Sequence, residues 1–337
     1  MRASRNRLAG VTAIVAGIAI AITPFAFSLA GNADGGERIT DRFRSTLSTE
    51  GLVQLQAGYK TTVAMGNQFF GQTLPGVRRQ LHESPAAFRA DLRANYPAIV
   101  TAQTQVPPVI ALVTPKLPGL LALHSDFQKV DSLPIFGLPI SSITWLLIVI
   151  GVGVGGLGLI VLARPSRVGA ALVAVAGLAL IAVPLSISAF DKTDAAVNLD
   201  QAGSFVFAPK ITAAALATTL RIDRFVTEVE TKFIPRTAAR LNESPAKLKA
   251  QIAARYPAAG HGLAVWPEIG PPAIKRSRDQ VASVQDFANL HGIDFRALPW
   301  MVIGPGILML LAGLAGVALS GRQRRTGEIS TMPAPTA

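Results

Sequence analysis

Residues Gly153-Val154-Gly155-Gly156-Leu157-Gly158 spell G-x-G-x-x-G, the pattern that brings a backbone turn up to a dinucleotide pyrophosphate. That chemistry needs a strand before the glycines, a helix after them and an acidic residue about twenty positions on. Here the glycines lie inside an uncharged apolar run, so they read as close helix packing, with Gly151 and Gly155 also forming a small-xxx-small pair. The four histidines, His82, His124, His261 and His291, include no H-x-x-x-H spacing. His124 with Asp126 comes nearest to a ligand pair, but Val284 replaces the histidine beside the equivalent Asp286, and no metal site is expected. No serine sits in a G-x-S-x-G elbow. Glu83 and Glu243 precede helix starts, where a carboxylate complements the helix dipole. The sequon Asn242-Glu243-Ser244 is followed by Pro245 and is discounted as a glycan acceptor. These residues lead to no enzyme, no cofactor and no metal.

The elements around them explain why. Half of the 337 residues are hydrophobic and only 15% are charged, too apolar for an ordinary soluble domain. Four runs carry no charge: Leu8 to Leu29, Ile143 to Ala163, Val168 to Phe190 and Leu298 to Leu319. At about 21 to 23 residues each, they can cross a bilayer as helices. The first run follows a basic start and ends near the small-residue site Ser28-Leu29-Ala30, but it is longer than a signal-peptide core and reads as a retained span.

The net charge of +12 is segregated. The short segments 1–7, 164–167 and 321–337 hold eight arginines against Glu328 alone, whereas the long loops 30–142 and 191–297 are only +2 and +3. This is the positive-inside pattern: both termini cytoplasmic, both long loops outside, in a multi-pass plasma-membrane protein whose basic ends meet membrane lipids. The excess charge therefore does not point to nucleic acid. There is no cysteine, so the outer loops must fold without disulfides. Four spans around two outer loops resemble the topology of tetraspanins and claudins; the loop cysteines of those families are absent, so the resemblance implies no residue role.

Laid against itself at an offset of 160 residues, the chain repeats without gaps. Residues 81–98 and 241–258 share ten of eighteen positions, including Glu-Ser-Pro and Tyr-Pro-Ala. The same offset pairs Pro75 with Pro235, Leu138-Pro139 with Leu298-Pro299, Gly17 with Gly177, and Gly153 and Gly156 with Gly313 and Gly316. The expected fold is an all-α membrane protein built by tandem duplication as two parallel repeats. Unit 1 is 1–163 (span 8–29, outer domain 30–142, span 143–163). Unit 2 is 164–320 (span 168–190, outer domain 191–297, span 298–319), and 321–337 is a disordered cytoplasmic tail. All four spans lack ionisable residues, which argues against an ion path. Ala13, Gly17, Gly151, Gly155, Ala170, Ala174, Gly177, Gly313 and Gly316 are the expected packing positions, in a tight bundle or a homo-oligomer seam.

Within each outer domain, Ser84 and Ser244 read as helix N-caps, with Pro85 and Pro245 at the first helical position. The helices that follow place Phe88, Leu92 and Tyr96, or Leu248, Ile252 and Tyr256, on one face. The copies differ most at 106–123, which is apolar and carries four prolines, against 266–283, which contains Glu268, Lys275, Arg276, Arg278 and Asp279. Val106, Val109, Ile110, Leu112, Val113, Leu117, Leu120 and Leu121 are therefore the candidate contacts for a protein partner or a lipid. The reading is a non-enzymatic protein of the bacterial cell envelope whose outer domains bind other membrane or envelope proteins. A transporter or lipid-transfer component, or a sensor acting through a partner, is the alternative.

Overall fold

The computed structural model describes residues 2–132, 142–291 and 293–329, and every element among them is helical. The first half contains α1 (Arg2–Ala26), α2 (Leu29–Leu47), α3 (Thr49–Gln68), α4 (Leu74–Gln80), α5 (Pro85–Asn95), α6 (Pro97–Val113), α7 (Leu117–Ala122), α8 (His124–Asp131) and α9 (Ser142–Ala163). The second contains α10 (Arg167–Ser186), α11 (Ala189–Val206), α12 (Pro209–Glu228), α13 (Ile234–Arg240), α14 (Pro245–Arg255), α15 (Pro257–Ala282), α16 (Val284–Leu290) and α17 (Ala297–Ile329). The link 133–141 and residues 330–337 of the sequence-predicted tail lie outside the described residues.

Among the described residues, four helical segments are long and apolar enough to cross a membrane: Arg7–Ala26, Ser142–Ala163, Arg167–Ser186 and Ala297–Ala318. Two of them end before the apolar runs do. Ser28 and Ser188 adopt left-handed backbone, φ 53° and 52°, and their N–H groups turn back to Phe25 O and Leu185 O. Hydrophobicity continues through these breaks to Leu29 and Phe190, so composition alone places the ends three or four residues late. At the other end of the chain, α17 runs on to Ile329, into the stretch expected to be disordered from 321.

The helices form two compact units that each draw on both halves of the chain. One comprises Met1–Arg38, Ser125–Gln201 and Asn289–Ala337; the other comprises Ile39–His124 and Ala202–Ala288. In the first, α1 packs along α9 and α10 along α17, and α1 also lies against α17 far more extensively than α10 lies against α9. Its core is made of small and branched side chains, among them Ala9, Ala13, Ile20, Val161, Ala170, Val173 and Met309.

In the second unit, α6 packs on α12 and α15 on α3, so each half supplies a helix to the other. Phe69, Phe225 and Phe233 are completely or almost completely buried at the centre, with the Phe69 ring 5.0 Å from Phe225 and 6.0 Å from Phe233, edge to face. A five-residue π-turn precedes α4 at Phe69–Thr73 and another precedes α13 at Val229–Phe233. Each lies just before a proline, Pro75 or Pro235, which has no N–H and whose ring crowds the carbonyl four residues back; the wider turn relieves both defects inside one continuous helix.

Proline ordinarily breaks or kinks a helix, yet α6 continues through Pro107 and Pro108, and α15 through Pro267, Pro271 and Pro272. All five are exposed, on the side where water can take the carbonyls they release.

Candidate functional site

Each Glu-Ser-Pro segment is a tight helix-to-helix corner. α4 and α13 end with His82 and Asn242 in left-handed backbone, φ 56° and 55°. The N–H groups of His82 and Glu83 return to Arg79 O and Arg78 O, and those of Asn242 and Glu243 to Ala239 O and Ala238 O, the paired bonds of a Schellman cap. Ser84 Oγ then accepts from Ala87 N–H and Ser244 Oγ from Lys247 N–H, both at 3.2 Å, starting α5 and α14. Phe88 and Leu92, like Leu248 and Ile252, are buried.

The two corners meet different electrostatic partners. Arg240 pairs with Glu83 and, at 3.3 Å, with Asp91, while Arg236 stands 3.9 Å from Asp91. The hydrogen bond that Arg240 donates to Glu83 is the main reason the Arg240 pKa is raised above its ordinary value. Glu243 stays within its own half, 3.0 Å from Lys247 and 3.0 Å from Gln251 Nε2, and the Lys247 bond is the main cause holding its carboxyl below the ordinary carboxylate range. Tyr96, 2% exposed against Phe233, has its phenol pushed up by burial. In the other half the Tyr256 hydroxyl takes the space where a Cβ on residue 76 would stand, which only Gly76 leaves open.

The segment proposed for contact divides by side. Val106 is buried in the core; Val109, Ile110, Val113 and Leu121 are half-buried; Leu112 is 45% exposed. The side chains of Leu117 and Leu120 lie outside the described residues. The Tyr59 hydroxyl anchors the end of α6, 2.5 Å from Thr114 Oγ1 and 3.3 Å from Ile110 O. An open apolar groove of about 430 Å³ lies elsewhere in the same unit, between the start of α12 and the α15–α16 corner, lined by Thr212, Leu216, Leu220, Val281 and Val284 among others.

The candidate packing residues fall on two helix seams. Gly17 lies directly on Gly151 O and on the backbone of Gly155, and a Cβ on Gly151 would come 2.6 Å from Gly17 O. In the other pair, a Cβ on Gly177 would lie 2.5 Å from Leu310 N, and one on Gly313 2.5 Å from Ala174 N and 2.6 Å from Ala170 O. Ala13 and Gly316 are buried as well. A Cβ on Gly158, one of the glycines read as close packing, would stand 2.7 Å from Gly10 O, and sequence reading missed Gly10 and Gly306, where a Cβ would come within 2.8 and 2.9 Å of the neighbouring helix. The missed signal is a spacing of seven, shared by Gly10 and Gly17, Gly151 and Gly158, and Gly306 and Gly313.

The seams are not related by the sequence offset. Gly17 and Gly177 are 160 apart, but the residues they meet, Gly151 and Gly306, are 155 apart. The helices themselves begin 155 apart, α9 at Ser142 and α17 at Ala297, so the offset of 160 does not extend to this pair and Gly151 and Gly158 have Gly306 and Gly313 as their counterparts.

His124 bonds Leu47 O at 2.6 Å and Thr49 Oγ1 at 3.2 Å, Asp126 bonds Asn198 at 3.2 Å, and His291 bonds Asp200 at 3.0 Å. Among the described residues no group of three His, Asp or Glu side chains is placed to hold a metal ion. Comparison with known protein families, curated proteins and solved structures finds no match to this chain.

Proposed function

We propose that this chain is a tandemly duplicated, four-span protein of the bacterial cell envelope that recruits a partner protein outside the plasma membrane and performs no catalysis itself. Its arginine-rich short segments lie in the cytoplasm and both long loops lie outside, following the charge asymmetry. The two halves share their corner caps, their π-turns and their left-handed serines at a constant separation of 160 residues, which supports descent from one unit.

The observation that carries the recognition role is the end of α6. In the first half this helix stops at Val113, leaving Leu112 exposed among prolines; in the second half α15 continues to Ala282 with Lys275, Arg276, Arg278 and Asp279 along it. One copy thus keeps the charged surface of an ordinary outer helix and the other presents an apolar end that contact with a partner would cover. The test is mild-detergent purification of the tagged protein with quantitative mass spectrometry. A stoichiometric partner should be retained by the wild type and by Lys275→Ala, and lost from Leu112→Asp with the thermal midpoint unchanged; retention by Leu112→Asp defeats the proposal.

The groove lined by Leu216, Leu220, Val281 and Val284 favours a second reading, capture of a lipid acyl chain. That reading calls for lipid copurifying with the wild type and depleted by Leu216→Arg.

A further inference from the structure

The groove beside α12 belongs to the second half of the chain. Its walls are Pro209, Thr212, Leu216 and Leu220 on α12, with Val281 and Val284 across the α15–α16 corner. The matching helices of the first half, α3 and α8, start 160 residues earlier, at Thr49 and His124. There the corresponding positions are polar: Gln56 and Lys60 stand for Leu216 and Leu220, and Thr49 and His124 for Pro209 and Val284. His124 bonds Leu47 O at 2.6 Å and Thr49 Oγ1 at 3.2 Å, which latches the first corner. Pro209 and Val284 carry no polar side-chain atom that could do the same, and the second corner is left open and apolar.

An apolar groove identifies no occupant by itself, but the charges around this one do. α12 and α15 run antiparallel: Trp266 Nε1 bonds Asp223 at 3.1 Å, Ser277 Oγ bonds Thr219 Oγ1 at 3.2 Å and Gln280 Nε2 bonds Val206 O at 2.6 Å. Arg224 lies one turn beyond Leu220 on the groove face of α12, and Arg278 one turn before Val281 on α15. The antiparallel register puts both at the same end of the groove, away from Pro209. Both are exposed, and among the described residues neither makes a hydrogen bond or an ion pair, whereas nearby Lys275 is taken by Asp279 at 2.6 Å. The counterparts of the two arginines in the first half are Ala64 and Pro118. The apolar walls and the cationic end thus occur together in one half and are both missing from the other.

We propose that the groove binds an anionic phospholipid, with an acyl chain along Leu216, Leu220 and Val281 and the headgroup phosphate between Arg224 and Arg278. The wall from Pro209 to Leu220 is about 16 Å long, room for most of an extended acyl chain. Guanidinium groups hold phosphate through paired, charge-assisted hydrogen bonds, and two of them at one end of an apolar slot select an amphiphile with its charge at one end. This choice of headgroup and direction rests on the acyl-chain reading given above, and the variants below let the two fail separately.

Delipidated full-length protein in detergent is offered an equimolar mixture of phosphatidylglycerol and phosphatidylcholine, and bound lipid is counted by native mass spectrometry, the part lost in Leu216→Arg being groove lipid. Wild type should retain phosphatidylglycerol over phosphatidylcholine in the groove about tenfold, the factor of one charge-assisted hydrogen bond. Arg224→Ala combined with Arg278→Ala should hold the two lipids equally, and Lys210→Ala, at the Pro209 end, should keep the preference. Equal retention by the wild type, a preference that survives loss of both arginines, or one that disappears with Lys210→Ala overturns the headgroup assignment and leaves acyl-chain capture standing. Absence of any Leu216-dependent lipid defeats both.

Discussion

The carboxylate of Glu228 accepts the backbone N–H of Ile99 at 3.0 Å, so the last residue of α12 caps the start of α6 in the opposite half of the chain. The reciprocal contact is present: Gln68, ending α3, accepts the N–H of Ala259 in α15 at 2.9 Å. A helix start has unpaired N–H groups, and a buried start needs an acceptor from somewhere. Glu228 is 6% exposed and has Lys232 3.7 Å away, so its carboxylate is both hydrogen-bonded and charge-balanced. Since a neutral amide does the same work at Gln68, Glu228→Gln should shift stability by under about 0.5 kcal/mol, whereas Glu228→Ala, which orphans the Ile99 N–H, should cost about 1–3 kcal/mol. Thermal unfolding of the two variants in one detergent decides it; equal midpoints would show that the cap is dispensable.

His82 occupies left-handed backbone where Asn242 stands in the other half. Asparagine tolerates that conformation and glycine adopts it freely, while a bulky side chain is penalised. His82→Gly should therefore stabilise the protein by about 1 kcal/mol and His82→Asn by less, read as an upward shift in the thermal midpoint. A fall with His82→Gly would mean that the imidazole makes a contact outweighing the backbone strain.

The seam glycines should be sharply position-dependent. Gly306→Leu drives a side chain into Gly177 O, 2.9 Å from where its Cβ begins, while Gly304→Leu enters open space two residues away. Overpacking of this kind costs about 1–3 kcal/mol or more, so only Gly306→Leu should lower the unfolding midpoint of the helical signal. Similar losses from both would place the helices in another register.

Tyr96 supplies an alkaline limit. Its phenol is raised mainly by burial, so folding favours the protonated form. The resulting stability is complete below the ordinary tyrosine pKa of about 10 and is lost as the pH climbs through the higher folded value. Tyr96 should ionise late in an ultraviolet titration, and Tyr96→Phe, which keeps the ring against Phe233, should remove that late step and soften the alkaline loss of stability. A late step that survives Tyr96→Phe belongs to another residue.

Much of this architecture can be read from residue types. Uncharged runs locate the long apolar helices, and Ser84-Pro85 and Ser244-Pro245 mark their helix starts because cap and first-turn preferences are local. The π-turns are not legible in the same way, since Phe69–Thr73 is ordinary helical sequence whose widening is forced by a proline one turn later. The pairing of Arg240 with Glu83 and Asp91 is hidden for another reason: its partners lie about 150 residues away, and the mirrored positions Gln80 and Gln251 carry no charge that would advertise it. Register along the seams escaped because the offset of 160, which still relates α8 to α16, does not hold for α9 and α17, whose first residues Ser142 and Ala297 are 155 apart.

The Glu228 cap also has a schedule. Ile99 precedes its acceptor by 129 residues, and α6 cannot complete its packing until α12 has been made. At about 5–20 residues per second, synthesis leaves the first half waiting for roughly 6–26 s with Phe69, Ile99 and Val106 unshielded. For that interval the first half exposes a half-built hydrophobic core, the kind of surface that favours aggregation until its partner helices are made.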